Sequence, residues 1–134
     1  MASLTNYDLK PSLVLSETDH KQLTVLALAG LNTSSDAADD LLYEIERARV
    51  VPEKDFPAEV VRMGSTVTYR PDNGTDRTVT LVYPADADIS EGRISVLTPI
   101  GTALIGLAQG QSITWVARDA RKHALTVLSV THQS

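Results

Sequence analysis

The sequence predicts an α+β fold in which a short antiparallel helical hairpin precedes an antiparallel sheet that holds one short helix. Three observations carry this expectation. Apolar residues recur at helical spacing up to about residue 48 and alternate at strand spacing from about residue 65. Between the two patterns stand Pro52 and Pro57, which interrupt any continuing helix and mark a connection. Finally, the cluster Pro71, Asp72, Asn73, Gly74 separates two alternating runs, the signature of a β-hairpin turn.

The elements follow in order. After an extended lead ending in Leu13, Val14 and Leu15, Ser16 with Asp19 three places on resembles a capping box, with Asp in place of the usual Glu or Gln. The first helix is expected over 17–29, with Leu23, Leu26 and Ala27 at helical spacing and Gly30 as its stop. Ser35 suits the cap of a second helix over 36–48, whose stripe is Ala37, Leu41, Ile45 and Ala48. Two such short helices are stable only when their apolar stripes cover each other, so they should pack antiparallel. Strands are expected at 65–70 and 77–83. Pro99 opens a brief helix over 100–108, ended by Gly110, and strands follow at about 111–117 and 124–132. The expected organisation is therefore a lead and hairpin in 1–50, a linker in 51–57 and a second unit in 58–134.

Composition narrows the function classes. A chain of 134 residues is long enough to bury a core without staples, and with no cysteine it has no disulfide, thiolate metal site or cysteine nucleophile. No basic start leads into an apolar run and no apolar stretch approaches the roughly 20 residues that cross a bilayer, so a cytoplasmic, membrane-free protein is expected. Seventeen acidic against twelve basic side chains give a net charge of -5, which repels phosphate backbones; direct specific nucleic-acid binding is not expected.

Candidate chemistry is sparse. His20, His123 and His132 lack ligand-like spacing, no serine sits in a nucleophile elbow, and Leu107 and Ala108 stand where a phosphate loop that began with Gly101 and Gly106 would need Lys and Ser or Thr. Catalytic residues, resident metals and cofactors are therefore not expected, and the glycines read as close-packing positions. Asp36, Asp39 and Asp40 are the one group with chemical potential, since carboxylates three and four apart on a helix project together. Acidic residues also favour helix N-termini for their dipole alone.

The stretch from Ile94 to Gly110 contains Ser95, Pro99, Gly101, Ala103, Leu104, Gly106 and Gly110. It resembles the signature of the C-terminal domain of the bacterial Gre transcript-cleavage factors, and Thr80 to Pro84 fits the same pattern. The resemblance covers roughly 58–132 and implies an FKBP-like fold used for docking rather than prolyl isomerisation. The short hairpin, together with Asp55 to Val61, is similar to a branch of that superfamily that lacks the long coiled coil. This implies a non-catalytic, monomeric regulator that engages RNA polymerase near its secondary channel, competes with Gre-type factors and affects nucleoside diphosphate kinase indirectly. The partner-binding residues implied at the hairpin tip are Asp36, Asp39 and Asp40, the counterparts in spacing of the tip acids that help Gre factors bind the second catalytic magnesium. Two alternatives stay open: a cleavage-stimulating factor using those acids, and an FKBP-type isomerase, against which the scarcity of aromatic residues counts. Gln111, and Arg118-Asp119-Ala120 at the expected turn between the last two strands, depart from the Gre pattern.

Overall fold

A computed structural model describes residues 13–31, 36–72, 74–116 and 122–132, excluding the side chains at 30, 31, 36, 37, 115 and 116. The lead forms a strand, β1 (Val14–Ser16), that runs directly into helix α1 (Glu17–Leu31). Ser16 caps it, its Oγ accepting the Asp19 N–H at 3.1 Å. The reciprocal half of the capping box does not form: the Asp19 carboxylate instead accepts the N–H of Met63, 3.2 Å away.

Helix α1 continues through Gly30 to Leu31, past the expected end at 29. One glycine destabilises a helix by only about 1 kcal/mol, too little to stop one whose Leu23 and Ala27 are fully buried. The expected cap at Ser35 lies outside the described residues. Helix α2 (Asp36–Glu46) stops two residues short of 48, where a turn from Ile45 to Ala48 leads into β2 (Arg49–Val51). β2 pairs in parallel with β1, Val14 opposite Arg49 and Ser16 opposite Val51, so the two ends of the hairpin are tied together at its base. Strands of three residues are too short to alternate visibly, which is why this pair was not readable from the pattern.

Strands β3 (Thr66–Pro71), β4 (Arg77–Val82), β5 (Arg93–Ser95), β6 (Ser112–Val116) and β7 (Lys122–Thr131) form one sheet in the order β5-β4-β3-β7-β6. Threonine hydroxyls pair across the β3–β4 hairpin, Thr66 with Thr80 at 2.9 Å and Thr68 with Thr78 at 2.8 Å. The expectation of a wholly antiparallel sheet is corrected at one edge, where β5 runs parallel to β4. Between them the chain passes through two single-turn 3-10 helices, Pro84–Asp86 and Ile89–Glu91, and so returns along the edge in the same direction. Helix α3 is Pro99–Leu104 rather than 100–108. It ends early because Gly106, at φ +83°, turns the chain, a role expected of Gly110. Leu13, Leu15, Leu23, Leu41 and Ile45 from the hairpin and its lead share one continuous core with Val61, Leu81, Leu104 and Val127 from the sheet unit.

Candidate functional site

The turn from β5 through α3 gathers the signature residues. Ser95 Oγ accepts the N–H of Leu97 at 3.0 Å, while Thr98 donates its hydroxyl to the Ser95 carbonyl at 2.7 Å and accepts the Gly101 N–H at 3.0 Å. Buried Thr102 donates to the Val96 carbonyl at 2.7 Å. Pro99 occupies the first turn, where its missing N–H has no helical partner to lose. Ala103 and Leu104 are buried. A Cβ on Gly101 would run into the Ser95 carbonyl oxygen and lie 2.9 Å from Val96 Cα. One on Gly106 would lie 3.0 Å from Leu13 Cβ.

Gly106 is also a backbone hub, since its carbonyl accepts from Val14 at 3.1 Å and its N–H donates to Val61 at 3.0 Å. Gly110, at φ +92°, has no neighbour within 4 Å of the position a Cβ would take, and its N–H bonds the Val127 carbonyl. The signature residues from Ser95 to Gly106 thus meet in one knot, and their polar groups are engaged with backbone. They shape the unit and position what is attached to it.

The acids lie elsewhere. Asp39 and Asp40 are exposed near the start of α2; Asp36 belongs to its first turn, though its side chain and the loop 32–35 fall outside the described residues. Among the described residues no three His, Asp or Glu side chains are grouped so as to hold a metal ion. The histidines are not brought together: His132 bridges the Ser65 hydroxyl at 2.9 Å and the Ala58 carbonyl at 2.7 Å, His123 is paired in backbone register with Trp115 across β6–β7, and His20 lies in α1. The residues 118–120 also fall outside the described part.

A polar cluster at the base of the hairpin was not singled out in the sequence. Asp19, 4% exposed, lies 3.5 Å from Arg62 Nε, and Arg62 Nη2 forks onto both carboxylate oxygens of Glu53 at 2.9 and 3.0 Å. The Arg62 guanidinium sits 4.9 Å from the centre of the Phe56 ring, which meets His132 edge-on at 6.4 Å. Burial pushes the Asp19 carboxyl above its ordinary value, against the opposing pull of the Met63 N–H and the Arg62 charge. Hydrogen bonds from Ser16 and Arg62 hold Glu53 below its own. Tyr83 donates its hydroxyl to Gln22 of α1 at 2.8 Å; burial, with the Asp19 charge adding to it, pushes that phenol up to about 12. Glu53, Phe56, Arg62, Gly64 and His132 line a cleft of about 480 Å³. Two signals pointed here: an Asp too short for the reciprocal capping bond, and Arg62 as a lone charge within Val60-Val61-Arg62-Met63.

Comparison with known proteins places this architecture. Residues 56–132 match the family model for the transcription elongation factor GreA/GreB C-terminal domain, and residues 11–51 match that for the Rnk N-terminus. The Escherichia coli K12 protein named regulator of nucleoside diphosphate kinase is 33% identical over 125 residues, 92% of each chain. The transcription elongation factor GreA of Chloroflexus aurantiacus is 38% identical over 92 residues, which are 68% of this chain and 58% of that one. A solved structure, described as a prokaryotic transcription elongation factor GreA/GreB from Nitrosomonas europaea, superimposes with a TM-score of 0.72 at 36% identity. That match covers 90% of this chain and 100% of the other.

Proposed function

We propose, from the premise that this chain belongs to the GreA/GreB C-terminal-domain family and is a regulator of the transcription-elongation-factor type, that residues 58–134 dock on RNA polymerase near its secondary channel. On this reading residues 1–50 present the hairpin at the channel mouth and 51–57 connect the two. The protein competes with Gre-type factors, and any effect on nucleoside diphosphate kinase follows indirectly from altered transcription. The observation that carries the reading is the match over 56–132 together with the intact knot from Ser95 to Gly106, which gives this chain the same shaped unit as its elongation-factor relatives.

A non-catalytic role is favoured by where the signature residues spend their polar groups: Ser95, Thr98 and Thr102 bond backbone, and the glycines accommodate close approach. The length of the hairpin supports docking over transcript cleavage. Helix α1 has 15 residues and spans about 22 Å at 1.5 Å per residue. The test is retention on immobilised RNA polymerase with and without a saturating Gre factor. Retention that the Gre factor abolishes is expected; retention unaffected by saturation would remove the channel-mouth assignment.

A further inference from the structure

We propose that Arg62, held between Asp19 and Glu53, is a latch that fixes the angle of the helical hairpin against the sheet. This goes beyond the docking reading and does not depend on it.

The hairpin meets the sheet unit along two separate lines. The first is apolar: Leu13 just before β1, Leu15 within it, and Leu23, Leu41 and Ile45 of the helices share the core with the sheet unit, Val14 donates to the Gly106 carbonyl, and Leu13 packs on the Gly106 backbone. Apolar contact is non-directional and does not by itself select one hairpin angle. The second line starts in the first turn of α1, where the Asp19 side chain leaves its own helix and reaches the Met63 N–H and Arg62. Tyr83, one residue past β4, adds its bond to Gln22 in the next turn of the same helix. With both lines made, one angle is selected.

Arg62 is the residue the second line turns on. One guanidinium, a rigid planar fork, joins three segments: α1 through Asp19, the connection through Glu53, and the chain entering β3, of which Arg62 is itself a part. It is fixed from below by the Phe56 ring, and that ring is held at its edge by His132, whose imidazole bonds Ser65 and Ala58. The pairing is also hard to leave. Asp19 is nearly fully buried, so moving Arg62 away strands a carboxylate out of water. The groups lining the adjoining cleft are thus engaged with one another, which fits a structural joint better than a ligand pocket.

The absence of cysteine makes the test direct. Cysteines placed at Val25 on α1 and Ser129 on β7, both exposed positions, can be spin-labelled in the full-length protein and their distance distribution measured by pulsed electron resonance. The parent should give one narrow distribution. Arg62→Met should at least double its width or split it, while far-UV dichroism stays unchanged. A width equal to the parent's would overturn the latch and assign the angle to the apolar line alone. Should Arg62→Met lose its cooperative thermal transition, Glu53→Ala decides. It removes one prong at a half-exposed position and leaves Asp19 paired, so a width at least half again the parent's supports the latch and an unchanged width sinks it.

Discussion

The turn from Ser95 to Gly106 and the far end of the helical hairpin are opposites in how tightly the sequence is constrained. In the turn, each signature residue answers a local steric or hydrogen-bonding demand: Gly101 has no room for a Cβ, Gly106 needs a positive φ, and Thr98 and Thr102 close backbone groups that would otherwise be buried unpaired. At the far end of the hairpin, Asp39 and Asp40 stand exposed at the start of a helix, where many residue types would serve. A family signature of the first kind reports architecture. It says little about the second kind of surface.

The largest effect should therefore come from Gly101. In Gly101→Val the new Cβ meets backbone, which has no rotamer to escape into, so a loss above about 4 kcal/mol is expected, enough to abolish a cooperative melt in a domain of ordinary stability. A normal thermal transition by circular dichroism would show that the turn is looser than its packing implies. A finer test pairs Gly106→Ala with Gly110→Ala. Both positions have positive φ, so each should lose about 1–2 kcal/mol from left-handed strain. Only Gly106 faces a neighbour, Leu13 Cβ, which should add about 1–3 kcal/mol of overpacking. Equal urea midpoints for the two variants would mean that Leu13 yields freely.

The same contrast explains what could be read in advance. The two helices, the β3–β4 hairpin, β6, β7 and the Pro99 helix were legible because their periods run long enough to be counted or because proline and glycine punctuate them. β1, β2 and β5 were not, each having only three residues and its pairing supplied from far along the chain. Helix ends differ from the expected ones where glycine does not act as the stop its type suggests: Gly30 continues its helix, and Gly106 acts before Gly110 can. The Arg62 cluster stayed hidden because its partners lie 9 and 43 residues away in sequence, and only the fold brings Glu53 and Asp19 to it.

A pH comparison sharpens the difference between that junction and the exposed acids. The folded Asp19 carboxyl titrates above its ordinary 3.8, so folding favours its protonated form. The stability this contributes is present below the unfolded value and is lost as pH rises through the folded one. Asp19→Asn removes the titration but can still accept from Met63. The stability of the wild type relative to Asp19→Asn should therefore fall as pH rises from below 3.8 towards neutrality. Glu53, shifted down, works the other way in both proteins, its contribution being lost as pH falls. Urea titrations across that range supply the measurement, and a relative stability that rises with pH would show that Arg62 outweighs burial at Asp19.

The smallest effect is expected at the hairpin tip, in the double variant Asp36→Asn, Asp39→Asn. Both positions lie in the first turn of α2, where a negative charge stabilises the helix by about 0.3–1 kcal/mol through the dipole. Removing the two charges should move the melting temperature by a few degrees at most and leave retention by RNA polymerase unchanged, if docking belongs to residues 58–134. Transcript cleavage makes the sharper comparison. A carboxylate assists a magnesium ion only at coordination distance, about 2.1 Å, so acidic character has no effect without reach, and helices of 15 and 11 residues give the hairpin a span of about 22 Å at most. With stalled elongation complexes carrying labelled RNA, neither the wild type nor the variant should stimulate cleavage under conditions where a Gre factor does. Stimulation by the wild type that the variant loses would reverse the contrast, making the loosely constrained end of the molecule its chemical end and the knot merely its mount.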